Sequence, residues 1–234
     1  MIKHDKTNRS RPPVLLPVLI TLFFTLLAWL TQIDLMAADL FFNGNAGRWF
    51  LKSDLIIKIV YELTPIPAFI IFGISVLIVL GSIWKKTWRR WTRIAVCWIL
   101  VMVLGPGLVV NSIFKDWYGR PRPKQIVKYG GKMEFCPVWV VGVPGEAKSF
   151  PCGHASVGFY FMTGYFCWWR KNRRRARFWL ITGLAAGTAL GLARMACGAH
   201  WFSDVVWAGT FIYFISYLSA WGCGLLKDQP ENAV

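Results

Sequence analysis

Three well-separated stretches of the chain carry residues that could do chemistry at short, fixed intervals. "KDWYGRPRP" supplies Lys115, Arg120 and Arg122, and "FPCGHAS" supplies Cys152, Gly153 and His154. "ARMACGAHWFSD" supplies Arg194, His200 and Asp204. Taken singly, each has an ordinary explanation. Lys115 or Arg122 could snorkel at a membrane edge, and His154 could cap a helix or hold a hydrogen bond. Together they suggest the chemistry of a phosphate ester. Lys115, Arg122 and Arg194 bring positive charge, and the arginines bring forked donors that match phosphate oxygens. Gly153 lets backbone approach an anion, at N–H groups that open an apolar segment.

The two histidines divide the remaining work. If Ser203 and Asp204 open a helix, Asp204 folds back on the turn holding His200 and fixes one ring nitrogen, leaving the other free to attack phosphorus. His154, with an ordinary pKa of about 6.5, then protonates the departing oxygen. A cysteine nucleophile at Cys152 is the competing reading, and it leaves His200 and Asp204 without a task.

The elements that must position these groups are apolar. The 234 residues are 56% hydrophobic with 14 Trp and a mean hydropathy of +0.45, more than a soluble domain of this size carries. Six nearly charge-free runs stand out: Val14–Leu30, Ile66–Ile83, Ile94–Phe114, Gly153–Trp169, Trp179–Ala193 and Val205–Leu226. Each approaches the roughly 20 residues that cross about 30 Å of hydrocarbon, and none shows the polar stripe of a soluble helix. The expectation is an all-α membrane bundle of six transmembrane helices, one domain over residues 1–234, with short amphipathic interfacial helices in 32–65 and an active-site loop at 115–151.

Basic blocks at Lys3, Lys6, Arg9 and Arg11, at Lys85–Arg93 and at Arg170–Arg177 sort to one side of these runs. By the positive-inside rule that side is cytoplasmic. It holds the tails at 1–13 and 227–234, and all three chemical stretches face outward. The same sorting accounts for most of the net charge of +16 and argues against a nucleic-acid partner. The first run lacks a small-residue cleavage site and reads as an anchor. No Walker loop, internal repeat or paired CxxC occurs, so nucleotide and zinc sites are not expected. Cys97, Cys167 and Cys223 read as packing residues. Cys136, Cys152 and Cys197 lie outward, where a disulfide could join any two of them.

The three stretches resemble the signature motifs of the type 2 phosphatidic acid phosphatase superfamily. K-x6-R-P matches Lys115 through Arg122-Pro123, and P-S-G-H matches Pro151 to His154. S-R-x5-H-x3-D matches Ala193-Arg194, His200 and Asp204. The resemblance implies a metal-independent, cofactor-free phosphatase. His200 is then the nucleophile forming a phosphohistidine, with Asp204 orienting it and His154 as general acid. Lys115, Arg122 and Arg194, with Cys152 and Gly153, would bind the phosphoryl group.

Cys152 and Ala193 depart from the family's serines, and a thiol is the weaker donor, which implies retuned phosphate binding. The bacterial members imply a lipid phosphate in the inner membrane: lipid A, undecaprenyl diphosphate or phosphatidylglycerol phosphate. Lys124, Lys128, Lys132 and Lys148 around the site favour a polyanionic head group, hence lipid A. A phosphotransferase of the same fold, and a non-catalytic transporter or scaffold, are the alternatives. Oligomeric state is not legible here.

Overall fold

The computed structural model describes residues 11–49 and 55–227. Most of the two expected tails lies outside these limits, as does the stretch 50–54 within the expected interfacial segment. The described chain is helical, with one small hairpin. α1 (Leu15–Leu30) and α2 (Ile33–Asp39) meet at an 81° bend. A two-residue pair, β1 (Phe42–Asn43) with β2 (Arg48–Trp49), follows in antiparallel register. α3 (Leu55–Leu63) runs through a turn into α4 (Ile66–Trp84). α5 (Arg89–Met102) continues through a π-helical stretch, Val103–Phe114, into α6 (Lys115–Trp117). α7 (Gly153–Phe159), α8 (Thr163–Trp168), α9 (Arg173–Ala196) and α10 (Phe202–Gly222) complete the bundle.

Among the described residues, four helices are long and apolar enough to cross a membrane: Ile57–Trp84, Lys86–Trp117, Arg173–Ala196 and Phe202–Gly222. The bent α1–α2 pair would make a fifth. This differs from the six expected spans in a physically informative way. Gly153–Trp169 is not one long helix but α7, a 3₁₀ turn at Tyr160–Met162, and α8. Almost all of its side chains are buried inside the bundle. An interior helix is apolar all round for the same reason a lipid-facing one is, so composition alone does not separate the two. Two short helices, α2 and α3, lie within 32–65 beside the hairpin, and α3 leads into the long span that ends at Trp84.

Close approach of small residues packs the interior. A Cβ at Gly158 would lie 2.6 Å from the Gly187 backbone nitrogen, so α7 and α9 touch backbone to backbone. Hydrogen bonds cross between helices from Thr21 to Thr210 (2.6 Å), and Tyr160 Oη donates to the Trp98 carbonyl (3.0 Å). On the outside, Leu19 and Phe23 of α1 and Leu77 of α4 are exposed, as suits lipid contact. This is a membrane protein.

Two helices orient the molecule. The span Lys86–Trp117 begins among Arg89, Arg90 and Arg93 and ends at Lys115, while α9 begins at Arg173–Arg175 and ends at Arg194. Asn172 starts α9 by accepting from the Arg175 N–H at 2.9 Å. Both helices thus run from a basic end to the end carrying the chemical stretches.

Candidate active site

Five elements meet at that end. Lys115 stands where the π-helical stretch closes, and its ammonium donates to Asn111 Oδ1 at 2.6 Å. Asn111 is itself held by donating to the Pro106 carbonyl, also at 2.6 Å. The widened helix turns Asn111 and Lys115 toward α7: a Cβ on Gly153 would lie 2.7 Å from Asn111 Oδ1 and 2.9 Å from Lys115 Nζ. A side chain at this position would push against Asn111 and the Lys115 ammonium, which glycine avoids. π-helical insertions often mark functional positions, and this one leads directly into Lys115, the first cation of the site.

Lys115, Arg122, His154 and Arg194 are half-buried, and His200 and Asp204 are buried. His154 lies in the electric field of Arg194, His200, Lys115 and Arg122 together, so the three motifs do converge. Lys115, Arg122 and Arg194 have no carboxylate partner among the described residues. Burial first, and then the charge of Arg194, hold the Arg122 guanidinium below its usual pKa. Arg194 Nε is buried without a hydrogen-bond partner. A cluster of like charges with an orphaned donor is costly unless an anion completes it.

The His200 turn is held rigidly. Trp201 N–H donates to Asp204 Oδ2 at 2.9 Å, which caps the start of α10. Trp201 Nε1 donates to the Pro121 carbonyl at 2.7 Å, tying this turn to the first stretch. Behind it, Trp49, Tyr129 and Trp201 form a small aromatic core. His200 Nδ1 faces Asp204 Oδ2 at 3.4 Å, loose for a hydrogen bond. Oδ2 already accepts from Ser149 Oγ at 2.6 Å as well as from Trp201. Catalytic contacts are often slack without substrate. Burial alone would push the imidazole pKa down, but the Cys152 sulfur and the Asp204 carboxylate outweigh it and hold His200 above its ordinary value.

Cys152 is fully buried beside His200. Its backbone N–H donates to the Asp204 carbonyl at 3.1 Å, which ties the second stretch to the third. All six cysteines are free, and the disulfide considered among Cys136, Cys152 and Cys197 is absent. Two of the four lysines counted toward a polyanionic head group are already paired: Lys128 with Asp39 (2.7 Å) and Lys148 with Asp116 (2.6 Å).

Several residues at the site were not read from sequence. Tyr61 of α3 packs on the His154 ring with centroids 4.6 Å apart, and Arg194 lies 5.0 Å over the same tyrosine. Ser149 and Asn111 contact named site residues and carried no motif of their own. Arg120 was legible as a cation, but its role was not. It is fully buried and donates to Asp204 Oδ1 (2.6 Å), Ser203 Oγ (2.8 Å), Asp34 Oδ2 (2.7 Å) and the Cys136 carbonyl (2.9 Å). Burial disfavours its charge, yet Asp204 and Asp34 hold its pKa above the ordinary value.

The chain is similar in sequence to known lipid phosphatases. A lipid A 4'-phosphatase of Francisella tularensis subsp. novicida is 33% identical over 204 residues, covering 86% of this chain and 91% of the relative. One from Rhizobium leguminosarum is 33% identical over 123 residues, about half of each chain (50% and 51%). Phosphatidylglycerophosphatase B of Bacillus subtilis is 23% identical over 157 residues, 62% of this chain and 66% of that one. No solved structure matches the chain. The PAP2 superfamily profile matches residues 94–224, a segment that holds all three stretches, and the chain belongs to that superfamily.

Proposed function

We propose that the protein removes phosphate from a membrane lipid, with lipid A as its substrate, through a phosphohistidine on His200. The observation that carries this reading is the cluster of Lys115, Arg122 and Arg194, which has no carboxylate partner among the described residues and in which Arg194 Nε is buried without a hydrogen-bond partner there. A tetrahedral phosphate anion would supply the negative charge and acceptors that this cluster lacks.

The chemistry follows from the side chains. With Nδ1 turned to Asp204, His200 uses Nε2 to attack phosphorus while Lys115, Arg122 and Arg194 spread the charge of the transferring group. The phosphorus–oxygen bond to the lipid breaks, and His154 gives its proton to the departing oxygen. Asp204 steadies the positive imidazole. A water molecule, losing its proton to His154, then cleaves the phosphorus–nitrogen bond and releases phosphate.

Lipid A rests on the likeness to the Francisella and Rhizobium enzymes, since paired Lys128 and Lys148 weaken the charge argument. The basic ends of Lys86–Trp117 and α9 support an outward-facing site in a bacterial inner membrane, with both termini cytoplasmic. In this layout residues 153–169 make the fourth of six crossings from within the bundle.

The test is a panel of purified lipids with the protein in detergent: lipid A bearing both phosphates, undecaprenyl diphosphate and phosphatidylglycerol phosphate. Free phosphate should appear fastest from lipid A. Preference for another lipid overturns the substrate, and phosphate moved between lipids without release marks a transferase. No reaction with any lipid overturns the phosphatase reading.

A further inference from the structure

Asp34 lies outside the matched residues 94–224 and outside every motif, yet its carboxylate is buried against the residues that hold His200 in place. It is the second residue of α2, and the 81° bend after α1 swings it inward to the first turn of α10. Oδ1 accepts from the Ser203 backbone N–H at 2.8 Å, satisfying one of the donors that a helix start leaves open. Oδ2 accepts from Ser203 Oγ at 2.7 Å and from Arg120 at 2.7 Å. Arg120 reaches the two acids with different nitrogens, Nη2 to Asp34 and Nη1 to Asp204 Oδ1.

We infer that Asp34 is a positioning residue for the reaction: it occupies one side of the Arg120 fork, so that Asp204 spends only Oδ1 on arginine and keeps Oδ2 toward His200. The inference rests on the phosphohistidine reading above. A free guanidinium edge prefers to grip a carboxylate with both nitrogens. Without Asp34, Arg120 is free to take both oxygens of Asp204, drawing Oδ2 from the Trp201 N–H, Ser149 and the imidazole. Asp34 also pins Ser203, the residue next to Asp204, so the helix start and the arginine are fixed by one side chain. The N-terminal segment thereby serves the site as well as anchoring the chain.

The experiment compares Asp34→Asn in the parent and in an Asp204→Asn background. Each purified protein is assayed for phosphate release from lipid A and from an aryl phosphate. In the parent, kcat should fall about 10- to 100-fold, the size of effect known for outer-shell partners that orient metal-ligating histidines, with KM changed less than about twofold. In the Asp204→Asn background the same change should cost little more, because the two acids act through one contact. Equal losses in both backgrounds, or unchanged kcat in the parent, overturn the inference.

Should Asp34→Asn not accumulate in membranes, Ser203→Ala carries the test. It removes the hydroxyl between Asp34 and Arg120 while leaving every charge, and its kcat loss should likewise vanish in the Asp204→Asn background. A loss of the same size in both backgrounds overturns the inference here too. An inactive parent indicts the phosphatase reading; an active parent with indifferent variants indicts Asp34 alone.

Discussion

Arg120 and Arg122 stand two residues apart, and the regions around them are opposites. Around Arg120, Asp34, Ser203, Ser149 and Asp204 satisfy one another in a buried network with distances of 2.6–2.8 Å. Around Arg122, the cations Lys115 and Arg194 have no carboxylate partner among the described residues, and Arg194 Nε has no hydrogen-bond partner there. A satisfied polar network confers a fixed geometry. An unsatisfied one confers affinity for whatever completes it. The turn Gly119–Pro123 joins the two, so rigid charge pairing on one side holds the electrostatic demand on the other.

The harshest way to break this arrangement is at the histidine between the two regions. His200→Ala should abolish turnover, beyond the roughly 10²–10⁴-fold typical of losing a general acid or base, because the whole covalent route goes with it. The protein should still insert and fold. His154→Ala should do less, and its effect should depend on the leaving group. An aryl phosphate needs little protonation and should suffer least, while a lipid alkyl phosphate should suffer most. Near-normal phosphate release by purified His200→Ala would remove the phosphohistidine, and equal losses on both substrates would remove His154 as the first-step acid.

The two arginines offer a more direct contrast. Arg120→Met leaves Asp34 and Asp204 buried without their cation, which costs about 3–5 kcal/mol. For a chain of this size that lowers the melting temperature by roughly 10 °C. Arg122→Met removes a like charge from a crowded cluster. It should leave the melting temperature unchanged or slightly raised, while raising KM and lowering turnover. Thermal melts and phosphate release on both variants check this. If Arg122→Met were the destabilising change and Arg120→Met the harmless one, the division between the two regions would be reversed.

Sequence made the second of these regions legible and hid much of the first. Lys115, Arg122, His154, Arg194, His200 and Asp204 announce themselves because phosphate chemistry restricts residue type and spacing within each local stretch. Asp34 meets Ser203 across 169 positions of sequence, and nothing local marks that pairing. Its carboxylate reads like any acid on an outward segment. Tyr61 and Asn111 escape for the same reason, since stacking on His154 and holding Lys115 each depend on helices packed at a distance. The apolar runs revealed a membrane bundle but not its layering. Gly153–Trp169 looks like every other span in composition, and only packing distinguishes an interior helix broken at Tyr160 from one facing lipid.

Cys152→Ser asks for the smallest effect and probes the seam between the regions. The Cys152 N–H is fixed on the Asp204 carbonyl and survives the change, so only the side chain beside His200 is altered. A hydroxyl is a stronger donor than a thiol, and turnover should be preserved or modestly raised. The pH dependence should respond as well. His200 must be neutral to attack, and its pKa is held above the ordinary value with Cys152 as the leading favourable neighbour. The rising limb of kcat/KM in the parent therefore lies above about pH 6.5. The serine variant should shift that limb downward.

Stability follows the same sign. A raised histidine pKa stabilises the folded protein fully below its unfolded value, and the benefit is lost as pH rises through the folded value. The serine variant should therefore lose part of its melting-temperature advantage at acid pH while matching the parent at alkaline pH. Reductant should change neither melt, because the cysteines are free. If turnover instead collapsed with the melts intact, Cys152 itself would be attacking phosphorus, since serine is a far poorer nucleophile at neutral pH.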